Sequence, residues 1–259
     1  MQTRPASRVF ITGASSGIGA ALARHYAGTG ARVGLVARRA DALQAVAASL
    51  TEPALTYIAD VADSAAMNRA ARDFIAHHGV PDIVIANAGI SVGTAPGDLG
   101  DLAVLDRILK TNVVGMAATF QPFLDAMRRE NRGTLVGIAS MAGFRGLPGS
   151  AAYSSSKAAA ITWMESLRTE LHGTDLRVVT ICPGYIDTPM TQVNGYRMPF
   201  TLTADEAARR FARAIGRGRR LAIVPWQMGV ASIVFRALPG PVYEWAFARA
   251  PRKRRNLPT

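Results

Sequence analysis

Short apolar runs and amphipathic stretches alternate along this chain in a regular order. Arg8-Val9-Phe10-Ile11-Thr12 is a β-branched run, Ile18 to Gly28 repeats its apolar positions at helical spacing, and Ala31 to Ala37 is a second apolar run. The alternation continues as a helix over about 41–50, a strand over 55–59 and a helix over 64–78. A strand over 83–86 and a long helix over 101–130 follow. Then come a strand over 133–139, a helix over 151–172, a strand over 176–181 and a last strand over 221–224. The strands read as continuous apolar runs, not as alternating ones, and strands covered by helices on both faces read this way. The pattern predicts an α/β fold: one doubly wound sheet of about seven parallel strands with helices on both faces. Neither a linker-like stretch nor a repeat interrupts it, which predicts a single domain over 1–259.

Two regions break the rhythm. Within 185–220, residues 185–203 carry Tyr185, Met190, Tyr196, Met198 and Phe200 without a clear period, and read as a loop able to cover a substrate. Thr203-Ala204-Asp205-Glu206 has capping-box spacing, so a helix is expected to start there and to end at Gly216. Beyond the last strand, 225–259 is an extension of aromatic and apolar residues (Trp226, Phe235, Tyr243, Trp245, Phe247) ending in Arg252-Lys253-Arg254-Arg255. It reads either as a cover for a pocket or subunit interface or as a peripheral membrane contact.

Charge and cysteine content narrow the function classes. The net charge is +12, and three of the thirty basic residues are lysines: Lys110, Lys157 and Lys253. The arginines cluster at 209–220 and 249–255, and read as solvated faces. No nucleic-acid-binding signature accompanies them, so a nucleic-acid partner is not expected. The single cysteine, Cys182, lies in an apolar run and reads as an inert core thiol. The four histidines lack metal-ligand spacing, so no metal site is expected. No hydrophobic signal core precedes the first strand, and no stretch reaches the ~20 apolar residues of a membrane span. A cytoplasmic protein is expected, with peripheral membrane contact as the one qualification.

The chemistry begins at the first strand–helix junction. Thr12-Gly13-Ala14-Ser15-Ser16-Gly17-Ile18-Gly19 is a glycine-rich turn of the kind that brings backbone N–H groups and a helix N-terminus up to a pyrophosphate. In strand–turn–helix context it points to a dinucleotide and makes the predicted sheet Rossmann-type. The second strand ends in Ala37-Arg38-Arg39, without the acid that NAD sites place there. Arginines pair with a ribose 2′-phosphate where a carboxylate would repel it, which favours NADP(H).

Tyr153 and Lys157, four residues apart, share one face of a predicted helix. A nearby ammonium stabilises a phenolate, which moves tyrosine toward acid/base work at neutral pH. Ser140 ends a strand upstream, and Asn112 falls in the long helix. With Asp60-Val61, Asn87-Ala88-Gly89 and Pro183-Gly184 followed by Ile186 and Thr188, these residues stand in an order and spacing that resembles the short-chain dehydrogenase/reductase family over about residues 8–190.

The resemblance implies hydride transfer between NADP(H) and a carbonyl or secondary alcohol. Tyr153 would be the general acid/base and Ser140 the hydrogen-bond partner of the substrate oxygen. Lys157 would hold the nicotinamide ribose and depress the Tyr153 pKa, and Asn112 would support a water leading to Lys157. Gly13, Ser15, Ser16, Gly17, Ile18 and Gly19 would hold the pyrophosphate, and Arg38 and Arg39 the 2′-phosphate. Asp60 with Val61 would contact the adenine. Asn87, Ala88 and Gly89 would line the cleft, and Pro183, Gly184, Ile186 and Thr188 the nicotinamide. One departure is Ala86, where the family often has a second asparagine. The resemblance also implies a homodimer or homotetramer built on the helices over 101–130 and 151–172.

Two other function classes stand beside this reading. A non-catalytic NADP(H) sensor or scaffold of the same fold would be expected to lack one of Ser140, Tyr153 and Lys157, and a nucleic-acid-associated protein would show a steep salt dependence of retention. The apolar residues of 185–203 suggest a lipophilic ketone or aldehyde as substrate, with Arg145 and Arg197 as the candidates for meeting an anionic group on it.

Overall fold

The computed structural model describes residues 7–95, 97–253 and 255. Its core is a seven-stranded, all-parallel sheet: β1 (Arg8–Thr12), β2 (Arg32–Ala37), β3 (Ala54–Ile58), β4 (Ile83–Ala86), β5 (Thr134–Ile138), β6 (Arg177–Pro183) and β9 (Leu221–Val224), in the order β3-β2-β1-β4-β5-β6-β9. The chain starts in the middle, works to one edge, then returns to β4 and works to the other. The register pairs Val9 with Val33 and Ile83, and Val136 with Ile85 and Val179. The predicted Rossmann-type fold is the one found.

Both sheet faces are buried, which is why the strands read as unbroken apolar runs. Val9 and Ile11 point into one core layer with Leu35, Val179 and Phe211; Phe10, between them, points into the other with Phe74, Phe123 and Met164. The first layer is closed by α1 (Gly17–Ala27) and α8 (Ala204–Gly216), and the second by α3 (Ser64–His78), α5 (Gly115–Glu130) and α6 (Ala151–Glu170). Phe10 meets Phe74 and Phe123 edge-on, with ring centroids 5.4 and 4.9 Å apart. Each such buried ring contributes roughly 1.5–3 kcal/mol by leaving water. α2 (Ala40–Ala48) follows β2.

Two expectations need correction. The helix over 101–130 is interrupted: α4 (Asp101–Leu109) passes through a π-helical turn (Lys110–Val114) before α5. One residue more per turn leaves the apolar pattern nearly unchanged, so periodicity does not reveal it. The stretch 185–203 is more than a loop. It holds β7 (Ile186–Asp187), α7 (Pro189–Gln192) and β8 (Leu202–Thr203), with β7 and β8 paired in parallel. These elements are too short to leave a periodic signal. Helix α8 ends at Gly216, as expected, and the left-handed residue after it is Gly218.

The capping at Thr203 is half a box. Its hydroxyl accepts from the Glu206 amide, while the Glu206 carboxylate pairs with Arg209 and Arg210. The C-terminal extension forms α9 (Trp226–Ala237) and α10 (Gly240–Phe247). Arg254, part of the terminal basic run, and the ends of the predicted 1–259 domain lie outside the described residues.

Candidate active site

Most of the residues singled out from the sequence line one cleft at the C-terminal ends of the strands, where the strand order reverses between β1 and β4. A cleft of about 540 Å³ opens there. It is lined by Gly13, Ser15, Ser16, Gly17 and Ile18 below, and by Arg38, Arg39, Asp60 and Val61 at one end. Asn87, Ala88 and Gly89 line its floor, with Ser140, Tyr153, Lys157, Pro183, Gly184, Ile186 and Thr188 at the other end. A volume of this order suits a cofactor or drug-sized ligand.

The glycine turn is built for close backbone approach. Gly13 (φ +68) and Gly17 (φ +55) sit in the left-handed region that favours glycine. Gly19 does not line the cleft. A Cβ there would lie 2.2 Å from the Gly13 carbonyl oxygen, so its role is to let α1 pack against its own turn. The Asn87 amide locks the turn from the neighbouring strand, donating to the carbonyls of Thr12 (3.0 Å) and Gly13 (3.2 Å). No acidic residue occupies the first turn of α1, so its positive end faces the cleft uncompensated.

At the adenosine end, Arg39 lies over the turn and donates to the hydroxyls of Ser15 (3.2 Å) and Ser16 (2.8 Å). Arg38 reaches Asp60 at 3.4 Å, and Asp60 also accepts from the Ala62 amide. The tip of β2 thus presents two guanidinium groups and two hydroxyls to the cleft, a donor set that fits a phosphate.

At the opposite end α6 carries Tyr153 and Lys157. Lys157 is buried; its ammonium donates to the Ile138 carbonyl at 2.8 Å and lies 5.8 Å from the centre of the Tyr153 ring. Burial pushes this lysine down to about 8. Burial also raises the Tyr153 phenol, while a hydrogen bond with Ser140 lowers it. Ser140 caps a 3₁₀ turn (Met141–Gly143), its hydroxyl accepting from the Ala142 amide at 3.1 Å.

Asn112 stands apart from the cleft. It sits fully buried in the π-helical turn, accepting from the Ile90 amide (2.8 Å) and donating to the Ile90 carbonyl and the Ser156 hydroxyl (both 3.0 Å). Its amide is spent on loop and helix, and it ties the segment after β4 to α6 behind Lys157. Thr188 caps α7, and its methyl group would touch a Cβ on Gly17, so it roofs the glycine turn.

Sequence reasoning missed several lining residues, Ser91, Arg107, Thr111 and Thr191, while Met190 of the expected covering loop does line the cleft. Ser91 lies in a loop, Thr111 in the π-helical turn, Arg107 in α4 and Thr191 in the short α7, and none belongs to a recognisable motif. It also misplaced Arg145. That guanidinium stacks on the Tyr243 ring at 4.2 Å and donates to the Leu238 carbonyl at 3.2 Å, so it anchors the C-terminal extension. Arg197 is exposed. Among the described residues no cluster of His, Cys, Asp and Glu could hold a metal, and no helix is long and apolar enough to cross a membrane.

A glycine cradle at a β–α switch point, with a Ser/Tyr/Lys group across the same cleft, defines an oxidoreductase working on a nicotinamide cofactor. The family model described as short chain dehydrogenase matches residues 7–197, and the chain belongs to that family. It is therefore an oxidoreductase of the alcohol/carbonyl couple. It is 40% identical to the "Uncharacterized oxidoreductase" of Myxococcus xanthus (strain DK1622), covering 92% of this chain and 95% of that protein. Among solved structures it is similar to levodione reductase (TM-score 0.78, 25% identity, 86% of this chain and 98% of that one). A closed form of serine dehydrogenase complexed with NADP+ is similar too (TM-score 0.78, 25% identity, 84% and 94%).

Proposed function

We propose that the protein is an NADP(H)-dependent reductase of lipophilic ketones or aldehydes, working through Tyr153. The observation that carries this reading is one cleft with Arg38 and Arg39 at one end and Ser140, Tyr153 and Lys157 at the other. The residues fit the cofactor: a cradle that a Cβ would fill, an uncompensated helix N-terminus and a phosphate donor set at the tip of β2. When bound, the nicotinamide supplies or accepts the hydride.

The remaining steps belong to the chain. Ser140 donates a hydrogen bond to the substrate oxygen and holds it beside Tyr153. The Tyr153 phenol gives that oxygen its proton as the alcohol forms, and takes it back in the reverse direction. Lys157 and the positive charge of an oxidised cofactor lower the cost of the phenolate, offsetting the burial that raises the free phenol. Gly13, Ser15, Ser16, Gly17 and Ile18 hold the pyrophosphate, with Gly19 shaping their turn. Asp60 and Val61 flank the adenine, while Pro183, Gly184, Ile186 and Thr188 orient the nicotinamide. Asn112 acts as a positioning residue behind Lys157.

Tyr185, Met190, Tyr196 and Met198 supply an apolar cover, which supports a lipophilic substrate. Exposed Leu102 and Val114 on α4 and in the π-helical turn support a homodimer or homotetramer through this region. An exposed stripe on α9 and α10 supports peripheral membrane contact of a cytoplasmic protein. The test is NADPH consumption against carbonyl compounds graded by chain length, with Tyr153→Phe alongside. The variant should keep NADPH binding and lose roughly 10²–10⁴-fold in kcat. Equal turnover by the variant would refute the assignment.

A further inference from the structure

After α10 the chain turns back across the substrate side of the cleft and is held there at several points. The Tyr243 hydroxyl donates to the Gly146 carbonyl at 2.8 Å, and Arg252 packs on Gly149. Arg255 pairs with Asp98 and with Asp101, the latter at 2.9 Å. Between these anchors Lys253 points inward. Its ammonium donates to the Ser91 hydroxyl at 2.7 Å and lies 5.7 Å from the centre of the Tyr153 ring, on which Lys157 also bears.

Among the described residues this cation has no counter-charge: Lys253 makes no ion pair, and the two carboxylates on the adjoining segment, Asp98 and Asp101, are both taken by Arg255. Burial pushes Lys253 down to about 8, with no acidic neighbour to raise it. A half-buried ammonium without a charged partner gives up part of its hydration uncompensated, and an incoming anion offsets that cost. Ser91 completes the arrangement. It is buried and lines the cleft, and because its oxygen accepts from Lys253 its own O–H remains to donate.

We propose that Lys253 and Ser91 form an anion anchor that takes a carboxylate carried by the carbonyl substrate, making keto acids, and in reverse hydroxy acids, the substrate class. The inference rests on the oxidoreductase reading above and narrows it. One cation and one hydroxyl match a singly charged carboxylate, whereas a phosphate dianion would bring a second charge that this anchor does not answer. With the apolar cover on the 185–203 side, the site describes an acid with an apolar body. The charged half of the anchor, Lys253, sits on a tail far along the chain from the Ser/Tyr/Lys group, which is why motif reading pointed to Arg145 and Arg197 instead.

The test compares a straight-chain keto acid with its methyl ester as substrates for the parent protein, Lys253→Met, Lys253→Arg and Ser91→Ala. NADPH affinity and Tm are followed to verify that each variant is folded. The parent should prefer the acid in kcat/KM. Lys253→Met should lower the acid-to-ester ratio by roughly 10- to 100-fold, mainly through KM, with Lys253→Arg restoring part of it. A parent indifferent to the carboxylate, or a ratio unmoved by Lys253→Met, overturns the anchor while leaving the oxidoreductase intact. If neither compound is consumed, calorimetry of the hydroxy acid binding to the NADP-loaded protein decides. Binding that Lys253→Met abolishes supports the anchor; absent or unchanged binding overturns it. Should Lys253→Met fail to fold, the acid-to-ester ratio of Ser91→Ala takes its place, and an unchanged ratio there overturns the anchor. Failure of the reductase reading has its own signature, no NADPH consumption with any carbonyl compound.

Discussion

Two lysines flank one tyrosine ring, and both are pushed down to about 8 by burial. For Lys157 this makes a stability prediction. Below pH 8 the group is charged in the folded and unfolded chain alike, and the folded state bears the full desolvation cost, on the order of 3 kcal/mol. As the pH rises through about 8 the native lysine gives up its proton, whereas the unfolded one keeps it to near 10.5. The unfolded state then binds more protons, so this group's contribution to stability rises with pH from about 8 to 10. Urea melts of the parent and Lys157→Met from pH 7 to 10 should therefore converge toward the alkaline end in favour of the parent. Parallel curves would exclude it. Lys253 contributes in the same direction to both proteins.

Arg39 gives a second prediction at this scale. Its guanidinium already bridges Ser15 and Ser16, so Arg39→Ala should lower kcat/KM for NADPH by roughly 10- to 100-fold with little change for NADH. An equal loss with both cofactors would mean that Arg39 shapes the turn and reads no phosphate. Cys182 is fully buried and its thiol is pushed up to about 12. The inert core thiol expected from the sequence has its physical basis there.

At the scale of elements, the β1–α1 junction shows how context decides what a glycine is for. At Gly19 a methyl group would meet the Gly13 carbonyl at 2.2 Å and the Asn87 amide at 2.6 Å, both parts of the rigid cradle. Gly19→Ala should cost about 1–3 kcal/mol and weaken NADPH binding. Gly216, at the end of α8, has no neighbour within 4 Å of an added Cβ. Gly216→Ala should be neutral or stabilise by roughly 0.5–1 kcal/mol. Thermal melts of the two variants should move in opposite directions, and a loss of stability at both would sink the argument.

The same scale shows where periodicity reaches its limit. Long covered elements such as α3 and β6 were legible because many residues repeat one signal. The π-helical turn and the pairs of residues in β7 and β8 were not, because their geometry comes from packing and leaves no period. Asn112 shows the consequence: its place in a helical stretch was readable, but its bonds to Ile90 and Ser156 depend on that extra-wide turn.

For the molecule as a whole, the C-terminal extension plays two parts. Its inner side closes on the cleft through Tyr243, Arg252 and Lys253. Its outer side exposes Trp226, Val230 and Ile233 at helical spacing on α9, with Val242 and Trp245 on α10. Such a stripe, on a chain of net charge +12, suits an anionic bilayer surface. Trp226→Ser with Trp245→Ser should cut sedimentation with phosphatidylserine vesicles several-fold while leaving Tm within a few degrees. Unaltered sedimentation, or none by the parent, would remove the membrane from the account.

By itself the sequence determined the parallel sheet, the glycine cradle, the absence of an acid at the tip of β2 and the Ser140/Tyr153/Lys157 group, because each is written in local periodicity or short spacing. The tertiary structure alone decided what reaches the site from far along the chain. Lys253 meets Ser91 and Tyr153, and Arg145 is drawn off to Tyr243, because the last helices fold back over the sheet's C-terminal edge. A charged side chain looks alike in sequence whether it ends in water or in a cleft. What separates the two is the burial and pairing that only the packed chain supplies.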